Sequence, residues 1–219
     1  MALIDKRLAA TKGGPEMRRL KLENQKLRTV LYQTADSLAS ALEKRNPHTA
    51  GHQERVTVLS MAIASEMNLD EEVQEGIRLA STLQNIGMLN VPTDILSKLG
   101  RLNELEYELI KTHPEVGNKI LENIEFPWPV SEIINQHHER MDGSGYPRGL
   151  KGEDILLEAR ILAVADVVEA MTSQRFHRPS LGIDKAIEEI GKNRSILYDP
   201  KVVDAFLKTC HEGKLLPSE

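Results

Sequence analysis

Apolar residues recur at helical spacing along most of the chain, and no segment shows the alternation expected of a strand. In residues 16–45, charged positions separate five leucines at intervals of seven and four: Leu20, Leu27, Leu31, Leu38 and Leu42. This spacing places the leucines on one stripe of a helix and is typical of a short coiled-coil seam. The alternative is a single amphipathic helix that folds back on its own domain. The sequence leaves both open.

The rest of the apolar pattern predicts an all-α, multi-helix bundle. Asn103 is a candidate N-cap, and Pro129 is expected to begin a helix that ends at two adjacent histidines. Further helices are predicted over 56–67, 73–84, 113–122, 158–172, 183–193 and 200–210. We assign residues 1–15 to a linker, 46–212 to the domain and 213–219 to a C-terminal tail.

Composition limits the classes of function. The net charge of -5 and pI of about 5.9 argue against a nucleic-acid polymer as partner, because duplex binding needs clustered cations. No apolar run approaches the roughly 20 residues of a membrane span, and no signal peptide is visible. The single cysteine, Cys210, is compatible with a reducing compartment. We therefore expect a cytoplasmic protein.

Histidines that continue apolar helix faces are the most informative polar residues. They are joined by a carboxylate inside the apolar run ILAVADVVEA, where a charge is costly unless it is paired or metal-bound. The candidates are His52, His113, His137, His138 and Asp166. Imidazole with carboxylate suits iron, manganese, nickel or zinc. For any one histidine alone, a hydrogen-bonded core side chain is the better interpretation. The set favours a metal.

The segments THPEVGNKIL, HHERMDGSGYPRGLKGEDI and ARILAVADVVEAMTSQRFHR resemble the HD-GYP domains. These are a branch of the HD phosphohydrolases associated with hydrolysis of the bacterial messenger cyclic di-GMP. The resemblance covers about residues 45–210 and implies an HD-domain-like helical bundle. It also implies a divalent transition metal bound by His52, His113, His137, His138 and Asp166.

The same resemblance implies further ligand contacts. Arg175 and Arg178 would reach ligand phosphates with their multidentate guanidinium groups. The loop residues Gly143, Gly145, Tyr146 and Pro147 would frame the ligand and offer a surface for signalling proteins. Some family members add a third metal through a glutamate at the position that is His48 in this chain. This replacement counts against a third ion.

The chain departs from the family at the signature itself. Where the family has adjacent His and Asp followed by Lys, this sequence has Gln84, Asn85 and Met88. A bridging carboxylate, an imidazole ligand and a cation are all replaced, and loss of one charge-stabilising group typically costs roughly 10²–10³ in rate. We therefore expect negligible hydrolysis, with one metal at His113, His137 and His138. A metal-free site is the alternative.

Three functions remain open from the sequence. The leading interpretation is a catalytically degenerate module, a pseudoenzyme in cyclic di-GMP signalling that binds the nucleotide or docks partner proteins. The second is a phosphodiesterase with residual activity from an incomplete metal site. The third is a structural output or dimerisation domain of a response regulator, paired as a homodimer through residues 16–45.

Overall fold

In the computed structural model, the chain is described over residues 14–45, 50–174 and 180–213. The architecture is all-α, as predicted, and no β-strand forms within those ranges. The predicted linker and C-terminal tail lie largely outside them. No helix in the described part combines the length and apolar character that crossing a membrane requires.

The helices are numbered in chain order. They are α1 (Pro15–Arg45), α2 (His52–Glu66), α3 (Glu71–Leu83), α4 (Thr93–Leu96), α5 (Glu104–Lys111), α6 (His113–Leu121), α7 (Val130–Gln136), α8 (Leu157–Thr172), α9 (Ile183–Lys192) and α10 (Pro200–His211). Short 3₁₀ helices occupy Ile86–Asn90 and Gly152–Asp154. The first of these follows directly from the altered signature, and we call it the signature 3₁₀ helix.

Helix α8 lies at the centre of the bundle. Its residues Ile161, Leu162 and Val164 are fully buried and are not confined to one stripe. Helices α2, α3, α7, α9 and α10 pack around it. A helix that is apolar on all sides is typical of a core position. Because Asp166 and Glu169 belong to this helix, their carboxylates are held by an element that packs against five other helices.

Two helix starts show how local sequence sets the element boundaries. At α5, Asn103 Oδ1 accepts from the backbone N–H of Glu106 at 2.9 Å, and the Glu106 carboxylate accepts from the N–H of Asn103 at 2.8 Å. This reciprocal capping box confirms the predicted N-cap. At α10, Asp199 accepts from the N–H groups of Lys201 and Val202 ahead of the first full turn.

Helix α1 packs against its own domain, where it contacts α3 and the signature 3₁₀ helix. Leu20 and Leu42 are buried and Leu31 packs on the core, whereas Leu27 and Leu38 remain 42% and 43% exposed. Of the two arrangements that the leucine spacing allows, the described residues therefore show the helix folded back on its own domain, with Leu27 and Leu38 left exposed. At 3.6 residues per turn the stripe spreads over roughly 60° of the helix surface.

Candidate functional site

Three histidines from two helix ends converge on one point. His113 is the first residue of α6, and His137 and His138 follow directly from α7. One ring nitrogen from each lies within 4.8 Å of the other two. His113 and His137 are each 1% exposed, and His138 is partly exposed. The structure thus brings together the three histidines that the sequence predicts for a single metal.

The hydrogen bonds of the outer nitrogens prepare these rings as ligands. His113 Nδ1 donates to the carbonyl of Ile110 at 2.8 Å, and His137 Nδ1 donates to that of Ile134 at 2.6 Å. The proton of each ring is thereby assigned to Nδ1, which leaves a lone pair on each Nε2. The two Nε2 atoms face each other at 3.3 Å. Two acceptors this close repel unless a cation lies between them.

Burial keeps the three rings neutral. Burial, together with the neighbouring His137, lowers the pKa of His113 to about 3, and burial also lowers the pKa of His137 and of His138. Neutral imidazole is the form that binds a metal ion. A backbone carbonyl on the outer nitrogen is also the usual support for a metal-bound histidine. The trio therefore fits one divalent transition metal.

His52 lies in a different arrangement, between two carboxylates of α8. Its Nε2 is 3.3 Å from Asp166 Oδ1, and its Nδ1 contacts Glu169. Although burial acts to lower it, the hydrogen bonds to Asp166 and Glu169 raise the pKa of His52 to about 9. Arg55 Nε also donates to Glu169 at 2.9 Å. His52 thus pairs with the carboxylates of Asp166 and Glu169 and also lines the pocket of the site.

Glu169 belongs to the same buried cluster as His52 and was not among the residues predicted from the sequence. It is 1% exposed and accepts hydrogen bonds from Arg55 and Ser173 in addition to its contact with His52. A signal was present, because Glu169 follows Asp166 by three positions and so shares its helix face. A carboxylate within an apolar run is costly unless paired, and this argument applies to both residues.

The altered signature lies beside His52. Gln84 is fully buried, its Nε2 lies 3.4 Å from His52 Nε2, and its Oε1 has no hydrogen-bond partner among the described residues. Asn85 and Met88 line the adjoining pocket. This half of the site offers a carboxamide where a metal would need an imidazole. A second transition metal, bridged by a carboxylate at position 85, does not fit these residues.

The backbone joins the two halves of the site at Gly87. A Cβ atom placed there would lie 1.9 Å from the carbonyl oxygen of His113 and 2.6 Å from the N–H nitrogen of Gly117. Only glycine allows the signature 3₁₀ helix to lie this close to α6. The backbone of His113 is therefore in direct contact with the signature 3₁₀ helix.

The glycine-rich loop closes over His138. The ring of Tyr146 stacks on that of His138 with centroids 4.8 Å apart, and the Tyr146 N–H donates to the His138 carbonyl at 3.2 Å. A Cβ on Gly145 would lie 2.4 Å from the Arg140 nitrogen, so the close approach requires glycine. Gly143 and Pro147 belong to the same loop, at intermediate exposure. The loop for which the resemblance implies a ligand contact thus packs against His138, one of the three converging histidines.

Glu139 organises this loop and was also missed from sequence. It is 2% exposed, and its two carboxylate oxygens accept from the N–H groups of Arg148 at 2.7 Å and Leu150 at 3.0 Å. Together with bonds to other acceptors, this leaves several amides of the loop bonded within the protein and not free to meet a phosphate. They are those of Gly143, Ser144, Tyr146, Arg148 and Leu150.

A pocket of about 370 Å³ opens above the histidines. Its described lining combines polar residues, among them His52, His113, His138 and Asp166, with apolar ones such as Leu42, Met88, Ile95, Leu96, Leu102 and Ile110. The lysine of this lining, Lys98, is held by both oxygens of Glu106 at 2.7 and 2.6 Å. Arg175, Arg178 and His48 lie outside the described residues.

A protein-family model described as HD domain matches residues 36–202. The chain is 39% identical over 178 residues to the cyclic di-GMP phosphodiesterase response regulator RpfG of Xanthomonas campestris pv. campestris (strain 8004), covering 80% of this chain and 47% of the relative. It is 41% identical over 180 residues to a cyclic di-GMP phosphodiesterase of Thermotoga maritima, covering 81% and 49%. The chain thus spans about half the length of these relatives.

A solved structure shares the fold. The crystal structure of a cyclic GMP-AMP specific phosphodiesterase of V. cholerae, V-cGAP3, matches with a TM-score of 0.67 at 21% identity, over 84% of this chain and 50% of that one. At this level of identity the likeness establishes the helical architecture alone.

Proposed function

The chain belongs to the HD domain family, and on that premise we propose that it is a weakened HD-GYP domain that binds cyclic di-GMP without efficient hydrolysis. The observation that carries the proposal is the mixed character of the site. Three histidines converge in a group that could hold a metal ion, while Asn85 and Met88 line the same pocket at positions where the HD-GYP signature has Asp and Lys. Compared with the HD-GYP pattern, the chain keeps the three histidines and the glycine-rich loop. It replaces the residues of the signature that hydrolysis would need.

The half of the site that contains the three histidines could bind a metal. His113, His137 and His138 would hold the metal, which when bound would supply a Lewis acid for a phosphate oxygen. Tyr146 covers His138 and limits the access of water to that ring. The ligand would therefore be anchored and oriented on the side of the pocket that the loop closes.

The altered half lacks what hydrolysis needs. Asn85 is uncharged, so it cannot draw a second cation toward the attacking oxygen. Met88 offers no positive charge to a transition-state phosphate. Asp166 is engaged with His52, which limits its use as a proton acceptor for water. Rate losses of roughly 10²–10³ for a single charge-stabilising group predict a very slow enzyme when several are lost.

A second candidate is a phosphodiesterase with residual activity. The specific observation that favours it is the convergence of Nε2 atoms at His113 and His137, since one bound metal can still polarise a phosphate. Two relatives of the chain are named cyclic di-GMP phosphodiesterases, and these names support the same substrate class. A measurable rate that disappears in His113→Ala would favour this candidate over the binding module.

The remaining proposals concern partners and context. The loop at Tyr146 is a candidate surface for signalling proteins, and the exposed flank of α1 is a candidate homodimer contact. Because one relative is named a response regulator, we also propose that the chain acts in the cytoplasm downstream of a sensor or receiver domain. In a purely structural role as an output domain, it would dimerise without binding nucleotide.

One sample can test the proposal. Protein purified without chelator is analysed for metal, titrated with cyclic di-GMP by calorimetry, and assayed for hydrolysis with Mn²⁺ and, under reducing conditions, with Fe²⁺. We expect about one metal per chain, saturable binding and negligible product. Turnover comparable with that of an intact relative would replace the binding module with an enzyme. Absence of binding would leave protein docking or the structural role.

A further inference from the structure

The C-terminal end of α1 forms part of the pocket wall. Leu42 is 5% exposed and lines the pocket together with Asn85 and Met88. Helix α1 has 31 residues and extends roughly 46 Å at 1.5 Å per residue. One helix therefore reaches from the pocket far along the domain.

Arg45 is the last residue of α1. It binds the signature 3₁₀ helix, which carries Met88, another residue of that wall. Its Nη1 donates to the carbonyl of Leu89 at 2.7 Å, and its Nη2 donates to that of Val91 at 3.4 Å. These carbonyls lie at the end of the signature 3₁₀ helix, where backbone acceptors lack partners within the helix. A charged donor stabilises them more than a neutral one does. Arg45 thus ties α1 to the helix that presents Met88.

The contact continues to the histidines. The signature 3₁₀ helix lies on α6 so closely that Gly87 has no room for a Cβ beside the His113 carbonyl. A shift of this 3₁₀ helix must therefore move Met88 and disturb His113 as well. Tight packing transmits such shifts because it cannot be compressed.

A second contact with the domain holds α1 near its middle. Arg28 Nη2 lies 2.8 Å from Glu72 Oε1, and Trp128 Nε1 donates to Glu72 Oε2 at 3.1 Å. Trp128 is the single tryptophan of the chain and precedes α7, which leads to His137. Its emission can therefore report whether α1 stays seated away from the pocket.

We propose that Arg45 is a positioning residue through which the seating of α1 fixes the pocket wall and sets the affinity for the ligand. The inference rests on the proposed function, because the ligand is taken to be cyclic di-GMP. Whatever displaces the end of α1, such as a rearrangement upstream along the same helix, would weaken binding without touching the pocket itself.

The first test needs no ligand. Arg45→Met removes both hydrogen bonds and keeps the aliphatic stem, and Arg45→Lys restores one donor. Lys44→Met removes the same charge from the neighbouring exposed position and serves as the matched control. We expect the amides of residues 86–91 to exchange with deuterium about tenfold faster in Arg45→Met, at an intermediate rate in Arg45→Lys, and at the wild-type rate in Lys44→Met. Unchanged Trp128 emission would show that α1 keeps its second contact, at Glu72.

The second test is calorimetric titration of the same proteins with cyclic di-GMP. We expect Arg45→Met to bind about fivefold more weakly, Arg45→Lys to recover part of the loss, and Lys44→Met to match wild type. Equal affinities in all four proteins overturn the inference, even if exchange is faster. If wild type itself does not bind, the proposed nucleotide function fails, and exchange alone then decides whether Arg45 fixes the wall. Equal exchange rates would reject that as well.

Discussion

Gln84 and His52 meet in the buried half of the site, where the amide nitrogen of Gln84 lies 3.4 Å from Nε2 of His52. With both ring nitrogens of His52 directed at carboxylates, the imidazolium form is favoured, and its Nε2 is then a donor. Turning the Gln84 carboxamide over would bring its unpartnered oxygen toward that donor. Gln84 therefore offers His52 an uncharged hydrogen-bonding partner at a position where a metal would need a ligand.

The first prediction is that restoring the signature restores a second metal. In Gln84→His, Asn85→Asp, Met88→Lys, an imidazole and a carboxylate replace the two carboxamides, so we expect metal content to rise from about one to about two per chain. Hydrolysis of cyclic di-GMP should then rise by at least about 10³, since several charge-stabilising groups return together. Elemental analysis and product chromatography measure the two effects.

The single change Met88→Lys is the matched control, because it restores the cation without a metal ligand. It should leave the metal content at the wild-type value. If the triple variant folds with unchanged helicity yet gains no metal, the pairing of His52 with Glu169 is a second obstacle. If wild type already turns over like an intact relative, the prediction is wrong.

Much of this architecture could be predicted from sequence because local signals were strong. The Asn103 capping box and the histidines that continue apolar faces rest on helical periodicity and on the chemistry of single residues. Glu139 was missed because a buried carboxylate and a solvated one look alike until their partners are known. Glu169 could have been predicted, since it lies in the same apolar run as Asp166. The seating of α1 was undecided because a coiled-coil seam and an intramolecular contact use the same leucine spacing.

The second prediction is that metal binding depends on His113 and not on His52. His113→Ala removes one of three converging nitrogens, so we expect loss of about one metal per chain, whereas His52→Ala should retain it. His211→Ala is the control, since His211 is an exposed histidine whose Nδ1 bonds to the carbonyl of Leu207 within α10. Chelation of wild type should lower its melting temperature, because a ligand that binds only the folded state stabilises it. Retention of metal in His113→Ala would contradict this placement.

The third prediction concerns the loop over His138. Gly145→Ala would place a Cβ 2.4 Å from the backbone nitrogen of Arg140, and backbone cannot move aside as a flexible side chain does. We expect a loss of about 1–3 kcal/mol in the free energy of unfolding, the usual cost of overpacking. Gly100→Ala is the control, because a Cβ there meets nothing within 4 Å. Equal urea midpoints for the two variants would show that the loop relaxes freely.

The fourth prediction concerns pairing through α1. Leu27 and Leu38 stay exposed on one flank of the helix, and a second copy would bury them. Leu27→Glu, Leu38→Glu should weaken the dimer at least tenfold, since burial of a leucine contributes up to about 1.5–3 kcal/mol. Leu22→Glu, on a different face and 54% exposed, is the control. Light scattering across a concentration series measures the effect, and an unchanged dimer would place the interface elsewhere. Deletion of α1 is the poorer test, because it would also expose Ala35 and Ala39.

The fifth prediction is that Arg175 and Arg178 supply much of the ligand affinity. The described lining of the pocket offers one lysine, Lys98, and Glu106 already neutralises it. The loop amides next to His138 are largely bonded within the protein. His52, a further cation of the lining, is paired with Asp166 and Glu169, so we expect the metal and the two arginines to meet most of the charge of the phosphates. Arg175→Ala, Arg178→Ala should therefore weaken cyclic di-GMP binding by at least about tenfold, given about 1.5–3 kcal/mol for a hydrogen bond to a charged group.

Calorimetry at fixed salt, with and without chelator, separates the metal contribution from the arginine contribution. The double variant Arg18→Ala, Arg19→Ala is the control, because it removes the same charge from exposed positions near the start of α1. If binding is lost on chelation but survives in the Arg175 and Arg178 variant, the metal alone holds the phosphates. If wild type binds no nucleotide under either condition, the exposed edge of the loop at Tyr146 becomes the better site to test, as a surface for a partner protein. Loss of binding in both the arginine variant and the chelated protein would mean that the metal and the arginines are both required, because neither then suffices without the other.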